Sequence, residues 1–482
     1  MPGVQVTTSV KNGPSTPLRA ASGQAFFVGL AERGPSKEAT LIRGLADYES
    51  VFGPRPAYGF LYDTVKTFFD EGGEQCYVTR VVGVDATSGT ITLKDRATPT
   101  AGDTLTVNAA SAGSWSGRAK IVVDDGSVPD TVKISVTLDG DVVETQNNLA
   151  SPEQIVSKFR SSVYVDVLDA GSTAASPLNL PAKGTFTLTA GDDLRGAIQT
   201  QNYVDALKNF VEGYGDGAVA IPGVGAGVHE GLVAHCKANN RIALLSHDSD
   251  ATDVELGQAV AAVNSDYAGL FAPWVQVNDG AGGIRNAPPE GFVAACRARG
   301  HDQVGAWRAP AGGIGVSQTL LGLAKEYTKA DAERLDAGRV SIIRRVAGSI
   351  RLYGWRSLSV DDTNYGFLSS RDLLNRLVVE SSARLEQYVF ATIDSKNQLL
   401  SAINAELVGI VEPIRQAGGL YEKTDDTGQE IDSGYLVETG SSVNSVQSLN
   451  NNIVRARLSV RLAPTGAMVS LDIVKVGLLS GL

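Results

Sequence analysis

The sequence predicts a mixed α/β (α+β) core, built from the N- and C-terminal parts of the chain and interrupted by an inserted β-rich domain. From about Thr200, amphipathic helical stretches alternate with short apolar strands, the order expected of helices packed on an at least partly parallel sheet. From about Asp85 to Ala190 the composition shifts to Thr, Val, Gly and Asp in short alternating runs, as in antiparallel strands. The stretch NNIVRARLSVRLAPTGAMVSLDIVKVG (451–477) then reads as two regular strands where most chains simply fray. The expected organisation is an N-terminal arm over 1–20, a discontinuous core over 21–84 and 195–453, an insert over 85–194, and a C-terminal strand arm over 454–482.

Taken in order, residues 1–20 hold one strand precursor, in which Val4 and Val6 alternate with polar neighbours before Lys11-Asn12-Gly13-Pro14 breaks the pattern. QAFFVGL (24–30) is a short apolar strand. GLADYESVFGP (44–54) is a short helix stopped by Gly53-Pro54. Leu61, Val65, Phe68 and Phe69 recur at helical spacing until Gly72-Gly73 ends that helix, and CYVTRVV (76–82) is a strand. Within the insert, VKISVTLDGDVVET places Asp139-Gly140 between two alternating runs, a hairpin signal, and SPEQIVSKFRS (151–161) is one brief helix. Then NYVDALKNFVEGY, HEGLVAHCKANN, VELGQAVAAVNS and PPEGFVAACRARG read as helices, separated by the strands GAVAIPG, RIALLSHD and YAGLFAPWVQV. A long helical region from Ser370 precedes the closing strands.

In the first closing strand Val454, Ala456, Leu458, Val460 and Leu462 fall on one face, and Arg455, Arg457, Ser459 and Arg461 on the other. In the second, Val469, Leu471 and Ile473 alternate with Ser470 and Asp472. A lone hairpin is marginal in water, so these strands need a sheet to join. Two readings of the arginine stripe stand: charge that keeps an exposed edge soluble, or a basic face opposing an acidic protein partner.

The remaining composition excludes much. The 482 residues allow two to four domains, and 43% hydrophobic with 20% charged residues suits an ordinary folded protein. No apolar run approaches a membrane span, and no basic segment followed by an apolar one marks a secretory signal, so a cytoplasmic origin is expected. A net charge of −11 argues against nucleic acid or anionic membrane as partner. Cys76, Cys236 and Cys296 are widely spaced and read as buried thiols, and His229, His235, His247 and His301 form no metal-ligand spacing. PGVGAGVHEG (222–231) lies between a strand and a helix but departs from G-x-G-x-x-G and lacks the Lys-Ser/Thr of a P-loop, so it reads as a tight turn. The pairs Asp192-Asp193, Asp361-Asp362 and Asp425-Asp426 come without a base or metal set and read as solvated loop acids. No catalytic residue, cofactor site or metal site is expected.

Several stretches together resemble the contractile tail sheath family of phage tails and related injection machines. They are FFVGLAERGP with GLADYESVFG, VKTFFDEGGEQCYVTRV, APPEGFVAACRARG, AWRAPAGG, SIRLYGWRSLSVDD, INAELVGIVEPIRQAGGL, SGYLVETG and VRARLSVRLAPTGAMVSLDI, with degraded matches at AGSWSG and TLTAGDD. The resemblance covers both flanks and is weak over about 85–185, where the family carries variable outward-facing domains.

It implies a non-enzymatic structural subunit that polymerises helically around an inner tube and contracts to drive that tube through a target envelope. The terminal arms would add strands to neighbouring subunits, using Val4, Val6, Val454, Ala456, Leu458, Val460, Leu462, Val469, Leu471 and Ile473. Lys11–Pro17 and Gly434–Asn452 would serve as flexible linkers. The implied partners are other copies of the chain, an inner tail tube protein, and baseplate and tail terminator proteins, with no membrane insertion. Near the loop YEKTDDTGQEIDSG (421–434), Glu422, Lys423, Asp425, Asp426, Arg455 and Arg457 are the implied tube contacts. The location would be a virion tail assembled in a host cytoplasm, or the bacterial cytoplasm for an injection system. Two other readings compete: a surface-binding protein that uses the insert, and an α/β enzyme with an appended β-domain.

Overall fold

A computed structural model describes residues 23–467. The described residues form two compact units, 23–302 with 310–368, and 303–309 with 369–467.

The first unit is organised by an eight-stranded sheet. Its order is Ser349–Leu352, Val340–Val346, Ala268–Ala272, Ile242–Leu245, Ala218–Ala220, Ala25–Gly29, Cys76–Arg80, Thr40–Ile42. The six inner strands run parallel, and one antiparallel strand closes each edge. AFFVG, AVA, IALL and AGLFA are buried throughout, as parallel strands covered on both faces must be. Phe26, Val28, Val219, Leu245, Leu270 and Ile342 form the centre of the core, against Leu232, Leu256 and Leu335 from the covering helices. The helix Leu45–Phe52 ends at Gly53 with φ +87°, and Leu61–Asp70 gives way to Gly72 with φ +94°, the left-handed positions that glycine takes without strain.

Between Arg80 and Ala218 the chain leaves this sheet and builds two more. A four-stranded sheet has the order Gly184–Thr187, Ala119–Asp125, Val132–Leu138, Asp141–Leu149, and a three-stranded sheet the order Thr90–Lys94, Asp103–Ala109, Val165–Asp169. Leu93, Leu105, Ile121, Val136, Ile155 and Phe159 pack into their shared core. Asp139 and Gly140, at φ +55° and +101°, make the two-residue turn that Asp-Gly favours. Arg80 is 1% exposed and binds both sides of the excursion. It donates to the carbonyls of Ala31 (2.9 Å), Glu32 (3.1 Å) and Ala112 (2.8 Å) and pairs with Asp193 at 3.3 Å.

The second unit centres on the helices Leu368–Leu385 and Gln398–Gln416, the first of which starts at the end of the first unit. Leu373, Leu377, Leu407, Ile410, Val411 and Leu420 form its core. The helical region expected from Ser370 is thus two helices, parted by a segment in which Phe390 takes φ +65° and is fully exposed.

Gly434–Asn452 is not the linker expected from its composition. It contains the strand Tyr435–Glu438 and the helix Val446–Asn450, which Ser445 caps by accepting from the Ser448 amide. The buried Asn444 ties the two ends by donating to the carbonyls of Thr439 (2.8 Å) and Arg455 (2.7 Å). Polar turn chemistry here builds structure rather than slack.

Candidate functional site

An open α/β sheet offers ligands one default place, the crevice beyond the carboxyl ends of the strands where strand order reverses. Here that point lies between Ala25–Gly29 and Ala218–Ala220, and the glycine-rich segment 222–231 follows the latter. Aromatic side chains fill the position. Gly223, at φ +71°, lies so close to Phe60 that a Cβ atom would stand 2.3 Å from its ring. Phe60 packs edge-on against Trp274 at 4.9 Å, and the Arg285 guanidinium lies 4.8 Å from the Phe60 ring centre. Arg285 is held in turn by Asp63, a buried carboxylate 2.7 Å from Arg55 and 3.3 Å from Arg285.

His229 and Glu290, each the first residue of a helix, meet at Ser246, which follows the strand Ile242–Leu245. The Ser246 hydroxyl donates to Glu290 Oε1 at 2.6 Å, and His229 Nε2 lies 2.9 Å from the Ser246 carbonyl, which can only accept. The imidazole proton is therefore spent on backbone, and no base addresses the serine oxygen as a nucleophile requires. Burial pushes the Glu290 carboxyl up to about 7 and lowers the His229 pKa, so the cluster favours neutral forms. Among the described residues no group of three or more His, Cys, Asp or Glu could hold a metal, and no helix is long and apolar enough to cross a membrane.

The other candidate is the terminal strand pair. Arg457–Val460 pairs antiparallel with Tyr435–Glu438 of its own chain, in the register Tyr435–Val460 and Val437–Leu458. Val454, Leu458, Val460 and Leu462 pack on the core of the second unit beside Tyr435 and Val437. These predicted exchange residues thus already have a covalently attached mate, and the strand is shorter than its alternation suggests. The pairing partner was legible in SGYLVETG, where Tyr435 and Val437 alternate with Leu436 and Glu438.

Arg461 N–H donates to the Gly434 carbonyl, which fixes the ladder so that the backbone groups of Leu458 and Val460 point away from Tyr435–Glu438. Among the described residues those groups have no backbone partner. On the side already paired, Tyr421 N–H donates to the Arg461 carbonyl and Ala463 N–H to the Gly419 carbonyl, so residues 419–421 continue the Tyr435–Glu438 side of the strand. An open edge of one short strand remains, with an apolar face beneath it. Ala456 precedes the strand, while Val4, Val6, Val469, Leu471 and Ile473 lie outside the described residues.

Of the implied tube contacts, Glu422, Lys423, Asp425 and Asp426 fall on or beside an exposed hairpin, Lys423–Thr424 with Glu430–Asp432, whereas Arg455 and Arg457 lie at the start of the terminal strand. Glu422 is held 2.7 Å from Arg415, and Asp425 accepts from the Thr427 and Gln429 amides in the turn, whereas Asp426 is simply exposed. The arginine stripe is partly neutralised from within: Arg457 lies 3.3 Å from Glu438 and Arg461 lies 2.7 Å from Asp432. Arg455 is held through its backbone, donating to Asn444 at 2.8 Å.

No curated protein sequence matches the chain. Its fold matches that of solved sheath proteins over nearly the whole length. The sheath tail protein of Listeria innocua is 14% identical, with a TM-score of 0.63 over 87% of this chain and 89% of that one. A chain of the anti-feeding prophage helical sheath in its contracted state is 14% identical, with a TM-score of 0.58 over 98% of both. A chain of the anti-feeding prophage baseplate is 13% identical, with a TM-score of 0.58 over 98% of this chain and 99% of that one. The fold that the sequence resemblance implied is thus the fold observed. A family model described as "DUF2586, N-terminal domain" matches residues 1–349, well over half of the chain, and the protein belongs to the DUF2586 family.

Proposed function

We propose that this chain is the structural subunit of a contractile tail sheath. Copies polymerise helically around an inner tube, and contraction drives the tube through a target envelope. The observation that carries this is a likeness in fold to a chain of a contracted helical sheath that spans 98% of both chains. The aromatic plug at the strand-order reversal supports a non-enzymatic role. Baseplate and terminator proteins would meet the ends of the polymer, and the exposed 421–432 hairpin would face the tube. The whole would sit in a virion tail or a related injection particle.

Assembly would use strand addition. The Tyr435–Glu438 and Arg457–Val460 pair is too small to be independently stable as a sheet, and its outer edge offers backbone groups over an apolar floor. An incoming strand with alternating Val469, Leu471 and Ile473 would extend both the ladder and the floor. Each added hydrogen bond nets about 0.5–1.5 kcal/mol, and several form together. Contacts of this head-to-tail kind that do not close into a ring produce helical filaments. Negative-stain microscopy of the purified protein tests the reading: striated tubes are expected, and monodisperse particles at high concentration would refute it.

A further inference from the structure

We infer that one face of the hairpin Val340–Val346/Ser349–Leu352 is a docking surface for a carboxylate-bearing segment of a second copy of this chain. The register sets Arg344 directly opposite Arg351, so two guanidinium groups leave the same face side by side. Like charges so placed destabilise a ladder unless something answers them.

Every other arginine between 334 and 356 has an acid of its own chain. Arg334 pairs with Asp253, Arg339 with Asp362 (3.4 Å), Arg345 with Glu326 (3.4 Å) and Arg356 with Asp336 (2.7 Å). Arg344 and Arg351 have no carboxylate among the described residues, and the Nε–H of each is buried without an acceptor. Tyr353 completes the face. It is 50% exposed, and its ring centre lies 5.4 Å from the Arg344 guanidinium. Two unanswered arginines beside a half-exposed tyrosine have the composition of an interface anchor.

The hairpin is built rigidly to present them. Its two-residue turn puts Ala347 at φ +49° and Gly348 at φ +84°, and the outer edge is covered where Ser317 N–H donates to Ile350 and Leu352 N–H to Gly315. The face, not the edge, is therefore what remains to bind. A chain of net charge −11 supplies the complementary carboxylates in every other copy, and the same excess of acid disfavours phosphate backbones. The inference deepens the sheath reading by naming a second contact between copies.

The substitution Arg351→Glu separates docking from folding, because it replaces the repulsion with an ion pair to Arg344 inside one chain. The full-length variant should melt at or above the wild-type temperature. Its self-association, followed by sedimentation velocity, should be about tenfold weaker than that of wild type. Wild-type association should weaken between about 50 and about 300 mM NaCl.

A folded variant that associates like wild type overturns the inference; if both also form tubes, the sheath reading stands without it. Non-tubular wild-type oligomers that the variant abolishes uphold the docking face and overturn the sheath. A wild type that stays monomeric at low salt overturns both. Arg351-dependent binding of a DNA oligonucleotide without self-association overturns the choice of partner.

Discussion

Glu290 offers the most quantitative test of the first unit. Its carboxyl is 2% exposed and accepts one side-chain hydrogen bond, from Ser246, while Oε2 is left without a partner. Burial raises its pKa from 4.5 to about 7, and the displacement corresponds to roughly 3 kcal/mol in favour of the protonated acid. The unfolded chain gives up this proton near pH 4.5, whereas the folded chain keeps it until about pH 7. The stabilisation is therefore complete below about pH 4.5, declines as pH rises, and is lost above about pH 7.

Glu290→Gln keeps the acceptor for Ser246 and removes the titration. Because the chain has two units, a global melting curve is a poor reporter, and hydrogen exchange of the amides in Ile242–Leu245, next to Ser246, is a better one. Between about pH 5 and about pH 8 the wild-type opening free energy should fall by roughly 2–3 kcal/mol relative to the variant. Parallel pH profiles for the two proteins would show that Glu290 is not held neutral and would refute the reasoning.

Four further outcomes are expected. Deleting residues 468–482 should leave the far-ultraviolet spectrum and thermal transitions of the described units intact while abolishing tube formation. Cutting at Val454 instead removes Leu458, Val460 and Leu462 from the second core and should unfold that unit, visible as a lost transition in calorimetry. Ala347→Asn should stabilise the 340–352 hairpin by about 1 kcal/mol, measured by local hydrogen exchange, because an alanine at φ +49° is strained and asparagine tolerates that conformation. Glu71→Ala should destabilise the first unit by about 3 kcal/mol or more in urea unfolding, since the carboxylate accepts from the Gln318 and Thr319 amides, the Ser317 and Thr319 hydroxyls and Arg299, and its removal orphans these donors.

The parallel sheet was legible because strands buried on both faces must be uniformly apolar, as AFFVG and IALL are, and the ends of its first two helices because Gly53 and Gly72 mark them; Asp139-Gly140 likewise marked the hairpin of the inserted sheet. The second unit was less legible for physical reasons. Gly434–Asn452 is rich in residues that serve linkers and caps equally, and only tertiary context decides that Asn444 and Ser445 close a loop and cap a helix. Alternation in Val454–Leu462 reports a buried face but not the chain that buries it, so the pairing with Tyr435–Glu438 could not be read from that strand. The opposed Arg344 and Arg351 are invisible in sequence, where they are seven positions apart with no fixed register.

Assembly as proposed requires another copy to complete this chain's open strand edge. A cryo-electron microscopy reconstruction of assembled tubes, with the backbone traced on either side of Tyr435–Glu438 and Arg457–Val460, tests it most directly. A strand on that edge, contributed by a terminal segment of a neighbouring subunit, is expected. An edge left bare, or occupied by the same chain's own terminus, would contradict it.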